Sequence, residues 1–212
     1  MKKTDDEIQA SLAPPGAGIP LLHRLLGRYF LKPLVLRRTS FAESERRYQK
    51  AHEKFKRELA FFSPEALTVR VLVPPQKGLE DSSRYWSAAM CARHLTIVGR
   101  EVEELIGRLA RGEVIQKIAD MATVKPELSQ NGPSSIAEYS AFGDGLFQRL
   151  RASAIQAPSA TFNHPWFGPM TASEWTALYS IHTYVHLEQL QAIRASLPHS
   201  ESRLEPRSKP RS

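Results

Sequence analysis

Two histidines, His182 and His186, lie four residues apart in an uninterrupted helical pattern near the C-terminal end of the chain. Residues four apart share one face of an α-helix, so both imidazoles project from the same side. Apolar residues recur on that side at three- and four-residue steps, which marks the face that a helix buries. Such a pair can hold a metal ion through two imidazoles; the other interpretation is core histidines bonded to a neighbour.

A third histidine, His94, lies at or next to the buried face of an earlier predicted helix. Helical bundles build metal sites from side chains on facing helices, so His94 can complete the pair. Three neutral imidazoles with an open fourth position are typical of a catalytic zinc or nickel site. We therefore predict a divalent metal at His94, His182 and His186. Imidazole binds both metals, so the sequence does not distinguish zinc from nickel.

Four further residues are candidates for supporting this site or positioning a substrate. His164 lies in a loop before the last helix, where it either orients a ligand or fixes the loop. Gln189 follows His186 by three residues and can bond it or a neighbouring helix. Trp86 and Trp175 indicate a partly hydrophobic pocket, although tryptophan also serves as core.

Other ionisable residues are predicted to lie outside the chemistry. Glu101 and Glu104 are interpreted as solvated surface carboxylates rather than general bases. Cys91, the only cysteine, is predicted to be a buried, inert thiol, and a single cysteine excludes a disulfide framework. No chemistry is assigned to three histidines in charged or flexible sequence surroundings: His23, His52 and His199.

Four long predicted helices must position the candidate residues. Each has an apolar stripe at helical spacing and capping or breaking residues near its ends. The predicted helices cover residues 41–62, 83–110, 135–155 and 171–194. Almost no strand is predicted: 65–80 contains at most a short extended piece, and 156–170 is predicted to be a loop. The sequence thus predicts an all-α four-helix bundle with a long crossover between the second and third main helices.

The net charge of +7 is concentrated in the terminal segments. Residues 1–40 carry +4 and residues 197–212 carry +2, which leaves +1 on the body. A nucleic-acid-binding domain usually has a basic stripe on its folded body, so nucleic acid is not an expected partner. One cysteine fits a reducing compartment, and we expect a cytoplasmic protein. The predicted parts are a 1–39 N-terminal extension, a 40–196 bundle and a 197–212 disordered tail.

Residues 21–38 form a predicted basic amphipathic helix. Its apolar positions are Leu21, Leu22, Leu25, Leu26, Phe30 and Leu31, and its basic positions are Arg24, Arg28 and Lys32. The helix is too short and too charged to span a bilayer. The favoured interpretation is that its apolar side covers the folded body or a second subunit. The alternative is that it lies on an anionic membrane surface.

Three motifs together resemble the DinB-like superfamily, which includes damage-inducible helical bundles and bacterial thiol S-transferases. They are an apolar helical run that ends at His94, a His-Pro-aromatic-Phe-Gly loop at 164–168, and His182-x-x-x-His186-x-x-Gln189. The resemblance covers about residues 41–196. It implies a four-helix bundle with a three-histidine metal site, in which His94, His182 and His186 match the ligand positions, and it implies frequent dimers. It does not imply a single reaction.

The residues and the resemblance together lead to a functional hypothesis. The protein is predicted to be a metal-dependent transferase or hydrolase that transfers a low-molecular-weight thiol or hydrolyses a small electrophilic substrate. The alternative is a non-enzymatic bundle that binds a partner or an anionic membrane surface through its basic helix.

Overall fold

The structure is a computed structural model that describes residues 4–16, 25–115, 121–128, 132–153 and 159–197. Its α-helices are α1 (Asp5–Ala10), α2 (Phe41–Leu59), α3 (Ala88–Ala110), α4 (Pro133–Asp144), α5 (Leu146–Ala152) and α6 (Ala172–Ser196). Its strands are β1 (Val71–Leu72), β2 (Tyr85–Trp86), β3 (Thr161–His164) and β4 (Gly168–Thr171). Short helical turns occupy Gly27–Leu31, Lys32–Leu34, Leu36–Arg38, Ala66–Thr68 and Asp81–Ser83.

Helices α2, α3 and α6 each begin after a residue whose side chain accepts a hydrogen bond from a free backbone N–H group. The Ser40 hydroxyl accepts from the Glu43 N–H at the start of α2. Thr171 and Glu174 form a complete capping box at the start of α6, as the sequence predicts. The predicted helix 83–110 begins later, at Ala88, because a short 3-10 turn and strand β2 precede its cap.

Four helical segments pack into the predicted four-helix bundle. Helix α6 packs against both α2 and α3, and α3 packs in turn against α4. A long connection, parts of which lie outside the described residues, joins α3 to α4 between Arg111 and Gly132. The interior is filled by fully buried side chains that include Phe55, Leu95, Leu109, Leu146, Leu190 and Ile193.

The third bundle segment is divided in two. Helix α4 ends at Asp144, and Gly145 separates it from α5. Glycine is the weakest helix former other than proline, which explains the break inside the predicted helix 135–155. Helix α4 also begins earlier than the predicted residue 135, at Pro133. Proline is favourable in the first helical turn, because the N–H that it lacks would have no partner within the helix there.

Strands β3 and β4 form an antiparallel hairpin inside the segment predicted to be a loop. The register pairs Thr161 with Thr171 and His164 with Gly168. Gly168 has a φ of +67°, a conformation that other residues rarely adopt, and it returns the chain from the turn into β4. The loop prediction is therefore wrong for both strands; each has only four residues, too few to show a clear alternating pattern.

The N-terminal segment packs only partly on the bundle. Residues 21–24 of its predicted helix, which include His23, lie outside the described residues. Residues 198–212, which include His199, lie outside them as well. Leu36 is buried at 1% exposure, whereas Leu25, Leu26, Phe30 and Leu31 are 43–60% exposed. Cover by the folded body is therefore wrong for these four residues, and cover by a second subunit, the other part of that expectation, stays a prediction. Among the described residues, no helix combines the length and apolarity needed to cross a membrane.

Candidate metal centre

The bundle brings His94, His182 and His186 together. Helix α3 supplies His94, and α6 supplies the other two from adjacent turns. The Nε2 atoms of His94 and His182 are 3.1 Å apart, and one ligand nitrogen from each of the three residues lies within 4.8 Å of the others. Two nitrogens bound to a tetrahedral zinc at about 2.0–2.1 Å would be about 3.3 Å apart. The spacing therefore fits three ligands of one metal ion.

Hydrogen bonds outside the triad orient two of the imidazoles. His94 Nδ1 is 2.8 Å from the Val124 carbonyl oxygen, and His186 Nδ1 is 2.7 Å from Gln189 Oε1. Both oxygens can only accept, so each Nδ1 carries the hydrogen and donates it. The Nε2 atom of each ring then keeps its lone pair for a metal, which is the pattern that metal-ligating histidines show.

Gln189 connects His186 to the start of α3. Its side chain is fully buried, and its amide nitrogen donates to the Ser83 carbonyl oxygen at 2.7 Å. The amide thus accepts from one partner and donates to the other, which fixes its orientation. Both alternatives that the sequence offered for Gln189 are present: it bonds His186 and a neighbouring element.

Burial keeps the triad in the protonation state that binds metal. Loss of solvation lowers the pKa of His94 to about 3, with a contribution from neighbouring His182, and lowers the pKa of His182 to about 4. Burial also holds the pKa of His186 well below its usual value. All three imidazoles are therefore neutral at pH 7, and neutral imidazole is the form that coordinates metal.

Trp86 forms one wall of the triad. Its ring stacks on His186 with centroids 5.8 Å apart and lies 4.9 Å from the ring of His94 at a tilted angle. It is 3% exposed. Strand β2 holds Trp86 in place through its pairing with Val71. Trp86 thus shields the triad from water on this side.

His164 lies at the end of β3, close to the triad. Its Nδ1 accepts from the backbone N–H of Trp166 at 3.0 Å, which confirms a loop-fixing role for that nitrogen. The pKa of His164 is lowered to about 3, first by burial and then by His182. Because the neutral ring accepts at Nδ1, its hydrogen is on Nε2. The Nε2–H is therefore the hydrogen-bond donor that remains on this ring.

Trp175 places a second N–H group beside His164. The two rings have centroids 5.2 Å apart. Trp175 is 7% exposed, and its Nε1 is buried without a hydrogen-bond partner among the described residues. A buried donor without an acceptor costs about 1–3 kcal/mol, so it indicates a bound molecule or a water at this place. Trp175 precedes His182 by two helical turns on α6.

His52 is a buried histidine although its neighbours in the sequence are charged. It is 3% exposed. Its Nδ1 lies 2.8 Å from the Tyr139 hydroxyl and its Nε2 lies 2.9 Å from Asp144. A signal was present, because Tyr48 and Phe55 lie four before and three after His52 on the apolar face of α2. Asp144 accepts at Nε2, so Nδ1 accepts from Tyr139, and neither nitrogen remains for a metal.

The remaining predictions of inert residues agree with the structure. Cys91 is fully buried, and burial raises the pKa of its thiol. A thiol in that state is neither a nucleophile nor a metal ligand at pH 7. Glu101 and Glu104 are exposed on α3.

Comparisons with known proteins do not identify a family for this chain. No family model matches the sequence, and no curated protein matches it. A solved structure, TT2238, described as a four-helix bundle protein, matches over 72% of this chain and 98% of that chain, with 21% identity and a TM-score of 0.48. A likeness this weak carries no argument about family or activity. The bundle assignment rests on the helix packing described above, and the DinB-like resemblance stays a prediction.

Proposed function

We propose that this protein is a DinB-like, divalent-metal-dependent transferase or hydrolase with zinc or nickel held by His94, His182 and His186. One observation carries the proposal: the ligand atoms of two buried imidazoles, His94 and His186, and one partly buried imidazole, His182, meet at one place. A hydrogen-bond acceptor orients each of the two buried rings. Packing alone does not favour such a cluster, since each buried imidazole must find a partner for two ring nitrogens.

A divalent ion at this place would supply a Lewis acid that lowers the pKa of a water or thiol bound to it. The chain's own residues have separate tasks. Val124 and Gln189 hold two imidazoles in the orientation that exposes Nε2. Trp86 excludes water from one side of the triad.

His164 and Trp175 are proposed to position the substrate. Trp175 presents an N–H group from a buried ring and His164 from a partly buried one, and the rings are close enough for one small molecule to contact both. They favour a substrate with a hydrogen-bond acceptor, such as a carbonyl or carboxylate oxygen. Because His164 is neutral at pH 7, it acts as a hydrogen-bond donor and does not supply a full positive charge.

The nucleophile in this proposal is a low-molecular-weight thiol or a water molecule. The thiol version gives a transferase, and the water version gives a hydrolase. The DinB-like resemblance supports the thiol version and also leads us to propose a homodimer, which light scattering would measure. A reducing compartment such as the cytoplasm suits a thiol co-substrate.

Metal analysis tests the proposal directly. The purified chain should contain about one zinc or nickel ion per chain, as one three-histidine site requires. His186→Ala should lose the metal, whereas the control His52→Asn should keep it, since His52 is a buried histidine outside the triad. A chain that stays metal-free after addition of zinc and nickel, with His186→Ala as stable as wild type, would contradict the proposal.

Activity is then measured on the metal-loaded chain with two probes. 1-Chloro-2,4-dinitrobenzene with cysteine reports thiol transfer, and p-nitrophenyl acetate reports hydrolysis. The reaction that His186→Ala abolishes and His52→Asn retains identifies the class. If His186→Ala retains both reactions, the histidine triad takes no part in either.

A further inference from the structure

A segment near the N-terminus exposes an unusual number of large apolar side chains. Within the ten residues from Leu25 to Leu34, here named the apolar segment, six side chains are 43–61% exposed: Leu25, Leu26, Tyr29, Phe30, Leu31 and Leu34. Elsewhere in the described ranges, exposed large apolar side chains are scattered, as at Val114 and Leu128. Contiguous exposed apolar surface in a folded domain marks an interaction site.

The backbone of the apolar segment is held against the bundle, so its exposure is a property of the fold. Lys32 is buried, contacts the Pro169 carbonyl oxygen and lies 3.9 Å from Glu174. Arg37 Nε lies 3.0 Å from the same carboxylate. A Cβ at Gly27 would lie 3.2 Å from the ring of Phe167, which shows how closely the segment approaches the β3–β4 turn.

The charge of the region favours one kind of partner. Residues 25–38 contain four basic residues and no acidic residue. Three of the four, Arg28, Arg37 and Arg38, are exposed, and Arg37 is paired with Glu174. The nearby carboxylate of Glu174 is 4% exposed and already paired, so it leaves little negative charge for a partner. A second copy docked through the same face would bring these arginines near one another, which is unfavourable.

An anionic bilayer complements both properties of the surface. Leucine and phenylalanine side chains bury in the boundary between headgroups and acyl chains, and arginines bind lipid phosphates. Aromatic residues such as Tyr29 favour the same depth. The partly buried Trp166 lies in the adjoining β3–β4 turn and adds a second aromatic residue of this kind.

We propose that the apolar segment, Leu25–Leu34, docks this protein on an anionic lipid bilayer, with its leucine and aromatic side chains inserted into the interfacial layer. The protein lies on the membrane and does not span it. The segment contacts the hairpin that carries His164, so docking would set the candidate metal centre next to the lipid surface. The proposal itself does not depend on a metal or on enzymatic activity.

Vesicle co-sedimentation of the full chain tests the proposal. The protein should bind vesicles of phosphatidylcholine mixed with phosphatidylserine and should bind pure phosphatidylcholine weakly. Raising the salt to about 1 M shortens the screening length from about 10 Å to about 3 Å and should weaken the binding. Equal binding to both vesicle types, or no binding to either, would overturn the proposal.

Paired variants test the residues. Leu26→Ser with Phe30→Ser should lower the partition coefficient about tenfold or more, because two large apolar side chains no longer enter the interface. The control pair, Val114→Ser with Leu128→Ser, removes apolar side chains that are at least as exposed, at 85% and 61%, and should change the partition coefficient by less than about twofold. Equal effects of the two pairs would contradict the assignment.

Two charge-reversal variants and a measurement of molecular mass complete the test. Arg28→Glu should weaken binding to anionic vesicles, whereas Arg46→Glu, at an exposed position on α2, should change it little. Light scattering of wild type and of the Leu26→Ser, Phe30→Ser variant tests whether a second copy of the chain covers the apolar segment instead. A wild-type dimer that dissociates in the variant, without vesicle binding, would assign the surface to a second copy and overturn the proposal.

Discussion

Gln189 offers a substitution whose two effects separate metal binding from stability. Its amide oxygen accepts from His186 Nδ1 at 2.7 Å, and its amide nitrogen donates to the Ser83 carbonyl oxygen at 2.7 Å. Gln189→Ala removes both bonds at a fully buried position. Losing the outer partner of a metal-binding histidine lowers affinity about 10–100-fold, or about 1.4–2.7 kcal/mol.

The same substitution should also destabilise the metal-free chain. It leaves the Ser83 carbonyl oxygen buried without a donor, at about 1–3 kcal/mol, and opens a cavity. We expect a total loss of about 2–4 kcal/mol in the free energy of unfolding, measured by urea titration in the presence of a chelator.

Gln189→Glu separates the two effects. A carboxylate still accepts from His186 and makes that imidazole a better metal ligand, but it cannot donate to Ser83. Zinc affinity, measured by competition with a chromogenic chelator, should stay the same or rise, while stability falls. Gln76→Ala is the matched control, because Gln76 donates to the Glu188 carbonyl of the same helix and lies away from the triad. Equal zinc affinities for wild type and Gln189→Ala would refute the reasoning. Equal losses of zinc affinity in Gln189→Ala and Gln189→Glu would also refute it.

Three further predictions concern pH, packing and the unpaired indole. His94 and His182 have folded pKa values of about 3 and about 4 against an ordinary 6.5, so the unfolded chain binds more protons at acid pH. The free energy of unfolding of the metal-free chain should therefore be constant above pH 6.5 and fall toward pH 4. The slope should reach up to about 1.4 kcal/mol per pH unit for each histidine. Urea titrations across this pH range measure the slope, and a stability that does not change with pH would contradict the prediction. Gly143→Ala would place a Cβ 2.3 Å from His52 Cε1 and should cost about 1–3 kcal/mol, seen as a lower thermal midpoint. Trp175→Phe removes a buried unpaired donor, which stabilises the metal-free chain by about 1–3 kcal/mol, but it also leaves a small cavity, which costs a similar amount. The free energy of unfolding should therefore change by less than about 1 kcal/mol while substrate affinity falls, and a loss of about 3 kcal/mol or more would show that the indole has a partner.

The helices and the histidine pair were predictable because they depend on local spacing. The side chains of Ser40 and Thr171 cap α2 and α6 within their own first turns, and the bonds involved span three residues. His182 and His186 share a face for the same reason. Helical periodicity also placed His94 near a buried face, and the bundle hypothesis then set it opposite the pair.

Errors arose where contacts between distant segments decide the outcome. Strand β2 pairs with β1, so Tyr85 and Trp86 are extended although they precede a helix without a break. His52 is buried because Tyr139 and Asp144, more than 80 residues away, bond both of its nitrogens. A histidine among charged neighbours in sequence carries no sign of such partners.

The sequence by itself determined that four amphipathic helices must pack together and that three histidines lie on or beside their buried faces, because helical periodicity is a property of consecutive residues. Only the tertiary structure decided which nitrogen of His94 and of His186 is free for a metal. The Val124 carbonyl comes from the connection after α3, and the Ser83 carbonyl comes from the turn before it. Neither position follows from periodicity, because the Val124 carbonyl reaches His94 and the Ser83 carbonyl reaches Gln189 through chain folding, and a backbone carbonyl carries no residue type to recognise.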